Sequence, residues 1–200
     1  MNGKANFFRE NELINSILYE EADAVKKITD SLLHIIPPKK TIVIACIGTD
    51  RSTGDSLGPL VGSFLMHKLQ SPFYVYGTLD EPIHAVNLQE KLDEIHTKHA
   101  NAFVIAVDAC LGRMKNVGSV QINQGPLKPG AGVNKKLPEV GDIHINGIVN
   151  VSGFMEFFVL QNTRLSLVMK MAQTIAEGIY TSSQVLERRK KQPSINWSLI

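Results

Sequence analysis

The sequence predicts an α/β protein, a three-layer α/β/α sandwich around a mainly parallel sheet, and three observations predict it. Two apolar runs of strand length, Thr41–Ile47 and Phe103–Val107, lack the apolar/polar alternation of a half-exposed strand, so both faces of each are expected to be covered. Strand-like and helix-like segments alternate along the first half of the chain, the grammar of a parallel sheet with crossover helices. A chain of 200 residues, 44% hydrophobic and 20% charged, suits one domain with a sizeable core rather than a disordered, coiled-coil or collagen-like protein.

Residues 11–36 read as an N-terminal helix, because Ile14, Ile17, Leu18, Val25, Ile28 and Leu32 recur at helical spacing. Pro37-Pro38 ends it, since proline can neither donate a backbone hydrogen bond nor let its predecessor stay helical. The core, residues 40–187, opens with the β-branched strand Thr41–Ile47. A loop from Gly48 to Asp55 leads into a helix from Ser56 to about Leu69. Phe73–Tyr76 reads as the next strand and Asn87–His99 as the next helix, with Asn87 in the N-cap position. Phe103–Val107 is a buried strand ending at Asp108, and Val117–Gln124 another strand.

Gly125–Gly141 carries Pro126, Pro129, Gly130, Gly132 and Pro138, which break both helix and strand. So long a loop is expected to be functional, a flap over the strand ends. Ile143–Val151 reads as a strand. Phe154–Leu186 reads as two helices meeting near Asn162-Thr163, with Thr163 able to cap the second. A basic tail, 188–200, begins with Arg188-Arg189-Lys190-Lys191 and is expected to be a solvated segment.

Composition narrows the function. The net charge of +2 gives no coat for nucleic acid. No apolar stretch reaches the ~18 residues of a membrane span, and the first residues hold no signal-peptide core. The two cysteines, Cys46 and Cys110, cannot form a disulfide framework and fit a reduced, cytoplasmic protein.

Ligands of open α/β sheets collect beyond the C-terminal ends of the strands. Asp55 and Asp108 fall there, each after one of the two most buried strands. The plain alternatives are a helix cap for Asp55 and a turn for Asp108. The loop Gly48-Thr-Asp-Arg-Ser-Thr-Gly-Asp55 has no P-loop lysine and no GxGxxG, which speaks against ATP and NAD. An acidic loop suits a different task. Close to a helix N-terminus Asp55 stays ionised, and a second carboxylate beside it is pushed to hold its proton. That splits a base from an acid for hydrolysing an amide, or offers a two-oxygen seat to a divalent metal. Arg51 and Arg113 lie close in sequence to the two aspartates and can pair with them. His84 follows the second strand and can be a third ligand or a proton shuttle, or fill a capping or structural role. His144 alternates with isoleucines and suits a structural bond. Cys110 lacks the GxSxG-type elbow of a nucleophile.

The segments CIGTDRSTGDSLGPLVG, GTLDEPIHAVNLQEKL, FVIAVDACLGR, GPLKPGAGVNKKLPEVGDIH and GIVNVSGFMEFFVLQNTR resemble the YyaC family of sporulation proteins from spore-forming Firmicutes, over about Lys40 to Gly178. At longer range they are similar to the spore germination protease and the hydrogenase maturation proteases. The resemblance implies a phosphorylase/hydrolase-like α/β/α fold and a peptidase acting on a spore protein in the cytoplasm of the sporulating cell or forespore. It matches Asp55-Ser-Leu-Gly-Pro59 and Asp108 to the acidic positions of those proteases, and Pro129-Gly-Ala-Gly-Val-Asn134 to a loop of the germination protease. In the hydrogenase maturation proteases these two acids bind metal together with a histidine before a late helix. Here that stretch is Asn150-Val-Ser-Gly-Phe154, without histidine. The expectation is therefore catalysis by Asp55 and Asp108 without a resident cofactor, a divalent metal across the two being the variant reading. Substrate contacts are expected from Asp50, Arg51, His84, Arg113, Lys128 and Asn134. The rival is a non-catalytic protein that binds a peptide or small molecule on the same fold. The sequence leaves the oligomeric state open.

Overall fold

The computed structural model describes residues 12–68, 72–129 and 137–191. A six-stranded sheet runs in the order β1-β5-β6-β4-β2-β3. Its strands are β1 (Leu13–Leu18), β2 (Ile42–Cys46), β3 (Tyr74–Tyr76), β4 (Phe103–Gly112), β5 (Ser119–Gln124) and β6 (Ile143–Val151). The helices are α1 (Ala24–Ile35), α2 (Leu57–His67), α3 (Leu88–Lys98), α4 (Glu156–Gln161) and α5 (Leu165–Lys191). β3, β2, β4 and β6 are mutually parallel, while β5 runs antiparallel to both β6 and β1.

The two unbroken apolar runs are neighbours inside this sheet, paired in parallel from Ile42↔Phe103 to Cys46↔Val107. Every residue of β2 is buried, because its alternate side chains enter two different cores. On one face Ile44, Cys46, Ile105 and Val107 pack under α1, α2 and α5. On the other Val43, Ala45, Val104 and Ala106 meet Leu88, Leu92 and Ile95 of α3. Helices on both faces make the three layers. No helix of the described residues is long and apolar enough to cross a membrane.

Four expectations change. The N-terminal helix of residues 11–36 is instead a strand, a turn and a helix. Leu13–Leu18 pairs with β5, placing Ile17 opposite Val120 and 1% exposed. The spacing of Ile14, Ile17 and Leu18 suits either element, and the open edge of β5 decides for the strand. Second, β4 does not stop at Asp108 but pairs onward with β6 to Gly112, through an irregularity between Cys110 and Leu111. Third, the tail's Arg188–Lys191 forms the last turn of α5, where cations favour the helix dipole; residues 192–200 lie outside the described residues. Fourth, the hydroxyl of Thr163 donates back to Val159 O (2.8 Å) rather than capping α5.

The long loop is rooted away from the expected place. Because β5 is antiparallel to β6, Gln124 sits opposite Ile143, which pairs with Ile105 near the start of β4. Leu127 and Val140 exchange backbone hydrogen bonds (2.8 and 2.9 Å), and Asp142 is bonded to Val104 through both its N–H and its carboxylate. These roots lie at the N-terminal end of β4 and β6, the pole opposite the aspartates.

Candidate active site

The loop after β2 is folded tightly enough to fix Asp55. Gly48 N–H donates to Ile83 O (2.8 Å), Thr49 N–H to Asp55 O (3.1 Å) and Gly54 N–H to Leu160 O (2.8 Å). Gly48 has φ +146°, and a Cβ there would lie 2.0 Å from the Asp55 carbonyl oxygen, so only glycine fits the crossing. The N-cap position of α2 is Ser56, whose hydroxyl donates to Thr53 O (2.7 Å), so capping is not the task of the Asp55 carboxylate.

Asp108 projects from β4 on the face of Val104 and Ala106, directly beside Asn146 of β6. Its Oδ1 accepts the Ala109 N–H (2.8 Å). Burial pushes its pKa up to about 8; the Ala109 N–H opposes this, and the negative charge of Asp55 adds to it. Burial also raises Asp55, held in check by the nearby Ser52 hydroxyl, although no hydrogen bond of standard geometry links the two. Among the described residues neither aspartate belongs to an ion pair. Burial thus lifts both carboxyl groups of the crevice above the ordinary carboxylate range, Asp108 the further.

The other expected residues are scattered. Asp50 and Arg51 are exposed on the same loop, where the Thr49 hydroxyl receives the Arg51 N–H (3.3 Å). Arg113 is exposed at the end of β4, and neither arginine forms an ion pair among the described residues, so the anticipated Asp–Arg pairing is absent there. His84 borders the Gly48–Asp55 loop through the Ile47↔Ile83 bridge, but its ring Nδ1 accepts the Val86 N–H (3.3 Å), tying it to its own turn. Lys128 pairs with Glu139 (3.3 Å) at the loop roots on the opposite pole. Asn134 lies outside the described residues, as do Lys135 and Lys136. His144 is buried with Nδ1 against Gly125 O (2.9 Å), and burial lowers its pKa, a structural bond. Burial and the charge of Asp108 push the Cys110 thiol up to about 12, which makes it a poor nucleophile.

Two residues beside the aspartates escaped sequence reasoning, Ser52 and Asn146. The signal for Asn146 was a polar side chain following His144 on one face of an otherwise apolar strand. Ser52 gave none. Among the described residues no group of three His, Cys, Asp or Glu side chains converges. Asp55 and Asp108 are the two carboxyl groups that would hold a divalent metal across the crevice, fewer protein ligands than a structural zinc takes.

The rim of the crevice is apolar. Phe154 (97% exposed), Met155 (65%), Phe157 (57%) and Phe158 (53%) stand bare after β6, and Met114 (76%) after β4. The Gly54–Leu160 bond fastens α4 to the Asp55 loop, and Asn150 Nδ2 donates to Thr163 Oγ1 (3.2 Å) beneath it.

The family described as protein of unknown function (DUF1256) matches residues 16–178. The chain is 57% identical over 194 residues to the protein named uncharacterized protein YyaC of Bacillus subtilis (strain 168), covering 96% of this chain and 95% of that one. It is similar in structure to a NiFe hydrogenase maturation protease, HycI from Thermococcus kodakarensis KOD1, with a TM-score of 0.51 and 20% identity over 76% of this chain and 98% of that one. At that identity the likeness is one of fold.

Proposed function

The chain belongs to the family described as protein of unknown function (DUF1256), and from that premise we propose that it is a peptidase that hydrolyses a peptide bond in a spore protein, inside the sporulating cell or forespore. One observation carries this reading: Asp55 and Asp108 come together at the C-terminal ends of adjacent central strands, both pushed upward in pKa by burial and free of ion pairs among the described residues. Carboxyl groups serving only the fold would be expected in salt bridges or caps. The protease-like fold and the sporulation-family resemblance support the reaction and the target, and the apolar rim supports a polypeptide substrate over a small polar one.

In this reading hydrolysis runs through the two aspartates. The Asp55 carboxylate takes a proton from water as its oxygen bonds to the scissile carbonyl carbon. Asp108 gives its proton to the carbonyl oxygen, forming a tetrahedral diol. Asp55 then passes its proton to the amide nitrogen and the C–N bond breaks, while Asp108 regains a proton from one hydroxyl. Amine and carboxylic acid leave, and both aspartates return to their starting states.

The test is to incubate the protein with extract from sporulating Bacillus subtilis and sequence the new protein N-termini. New termini are expected with the wild type and not with Asp55→Asn or Asp108→Asn, the double variant losing little more than either single one. If all forms yield the same termini, the aspartate pair is not catalytic. If all forms retain an intact partner without cleavage, the protein is the binding module instead.

A further inference from the structure

Among the described residues two buried side-chain polar atoms lack a hydrogen-bond partner, Ser52 Oγ and Asn146 Oδ1. Native folds keep few such atoms, and each needs a reason. Here one lies beside Asp55 and the other beside Asp108. They also differ in kind, since a hydroxyl donates and an amide oxygen only accepts.

We propose that Ser52 and Asn146 are positioning residues that make the aspartate pair unequal: the Asn146 carbonyl oxygen receives the carboxyl proton of Asp108, and the Ser52 hydroxyl donates to ionised Asp55. Its catalytic meaning rests on the peptidase reading above. Asn146 stands in register between Asp108 of β4 and Gln121 of β5. Adjacent strands are about 4.8 Å apart, so side chains in register on one face are within reach of each other. Gln121 gives Asn146 Oδ1 no hydrogen bond, and the ring of His144, two residues earlier on that face, is engaged with Gly125 O. Asp108 Oδ1 already accepts from Ala109, which leaves Oδ2 to carry the proton. A protonated Oδ2 supplies the one donor that Asn146 lacks.

The other titratable groups around Asp108 agree with this. Asp55 faces it from the β2–α2 loop, and its charge favours a neutral partner. Cys110, on the same strand and face, stays a thiol. His144 is neutral on β6, and His84 is tied to its own turn. With the Asn146 amide turned over, its NH2 would instead favour ionised Asp108. The experiment separates these two arrangements.

Carboxyl and amide carbon NMR of the free, full-length protein at neutral pH reads the arrangement directly. Asp108 Cγ is expected at a carboxylic-acid shift and Asp55 Cγ at a carboxylate shift. Asn146 Cγ should change its shift as Asp108 ionises, with the same midpoint, because its carbonyl oxygen then loses its donor. Ser52→Ala should raise the Asp55 midpoint by about one pH unit, and Asn146→Ala should lower that of Asp108 by about as much. An ionised Asp108 beside a protonated Asp55, or an Asp108 midpoint that rises or holds in Asn146→Ala, overturns the assignment. The wild-type spectra decide even if a variant fails to fold. They need no substrate, so a misplaced proton leaves the cleavage assay standing, and a protein that cleaves nothing still reports where its proton sits.

Discussion

Replacing Asp108 with Asn should stabilise the protein in a way that depends on pH. The folded-state pKa lies near 8 against 3.8 for the free side chain, so between those values the folded protein holds a proton that the unfolded chain has released. Wild-type stability from this group therefore falls as pH rises through that window and is level on either side. Asparagine binds no proton in either state, and its NH2 can donate to the Asn146 oxygen as the carboxylic acid does. At about 1.4 kcal/mol per unit, the span from 3.8 to about 8 sets a ceiling on the order of 6 kcal/mol. Water entering the half-buried crevice when the acid ionises reduces that, so the expected plateau is about 2–4 kcal/mol. Asp55 and His144 titrate in both proteins, and their contributions largely cancel in the difference. Urea unfolding across the pH range, at constant m-value, measures it. The stability gain should be near zero at the acid end, grow through the window and level off above it. A gain that ignores pH, or a variant less stable at the alkaline end, refutes the reasoning.

Gly48→Ala forces a Cβ against the Asp55 carbonyl at 2.0 Å in a left-handed backbone, so thermal unfolding should show a loss of at least ~2 kcal/mol; a loss under about 0.5 kcal/mol would mean that the loop relaxes freely. Phe157→Ser with Phe158→Ser should change stability by no more than ~0.5 kcal/mol but raise KM for the protein substrate, and an unchanged KM removes the rim from substrate binding. Cys46 and Cys110 should resist a disulfide reagent at neutral pH until the protein is unfolded, because burial keeps both as thiols. A chelator should leave Tm unchanged, and a lowered Tm restored by zinc would show a metal held by donors that the described residues do not assemble.

How far the site could be read in advance depended on the range of each signal. Burial on two faces is written into consecutive residues, so β2 and β4 were legible and with them the positions of Asp55 and Asp108. In the β1 segment Ile14, Ile17 and Leu18 fit a helix face and an edge strand alike, and only the pairing with β5 distinguishes them. Lys128 was placed at the crevice because composition marks a loop without saying at which end of the sheet it starts. The direction of β5 settles that, through hydrogen bonds to residues far away in the chain.

Local polarity and periodicity suffice for the α/β class, the buried central strands and two acidic residues at their ends. What lifts the Asp108 carboxyl so far above its ordinary range belongs to the tertiary structure. It rests on burial and on the approach of Asp55 to Asp108, from a loop and a strand far apart in the chain. Desolvation and charge coupling act through space, and no spacing along the chain encodes them.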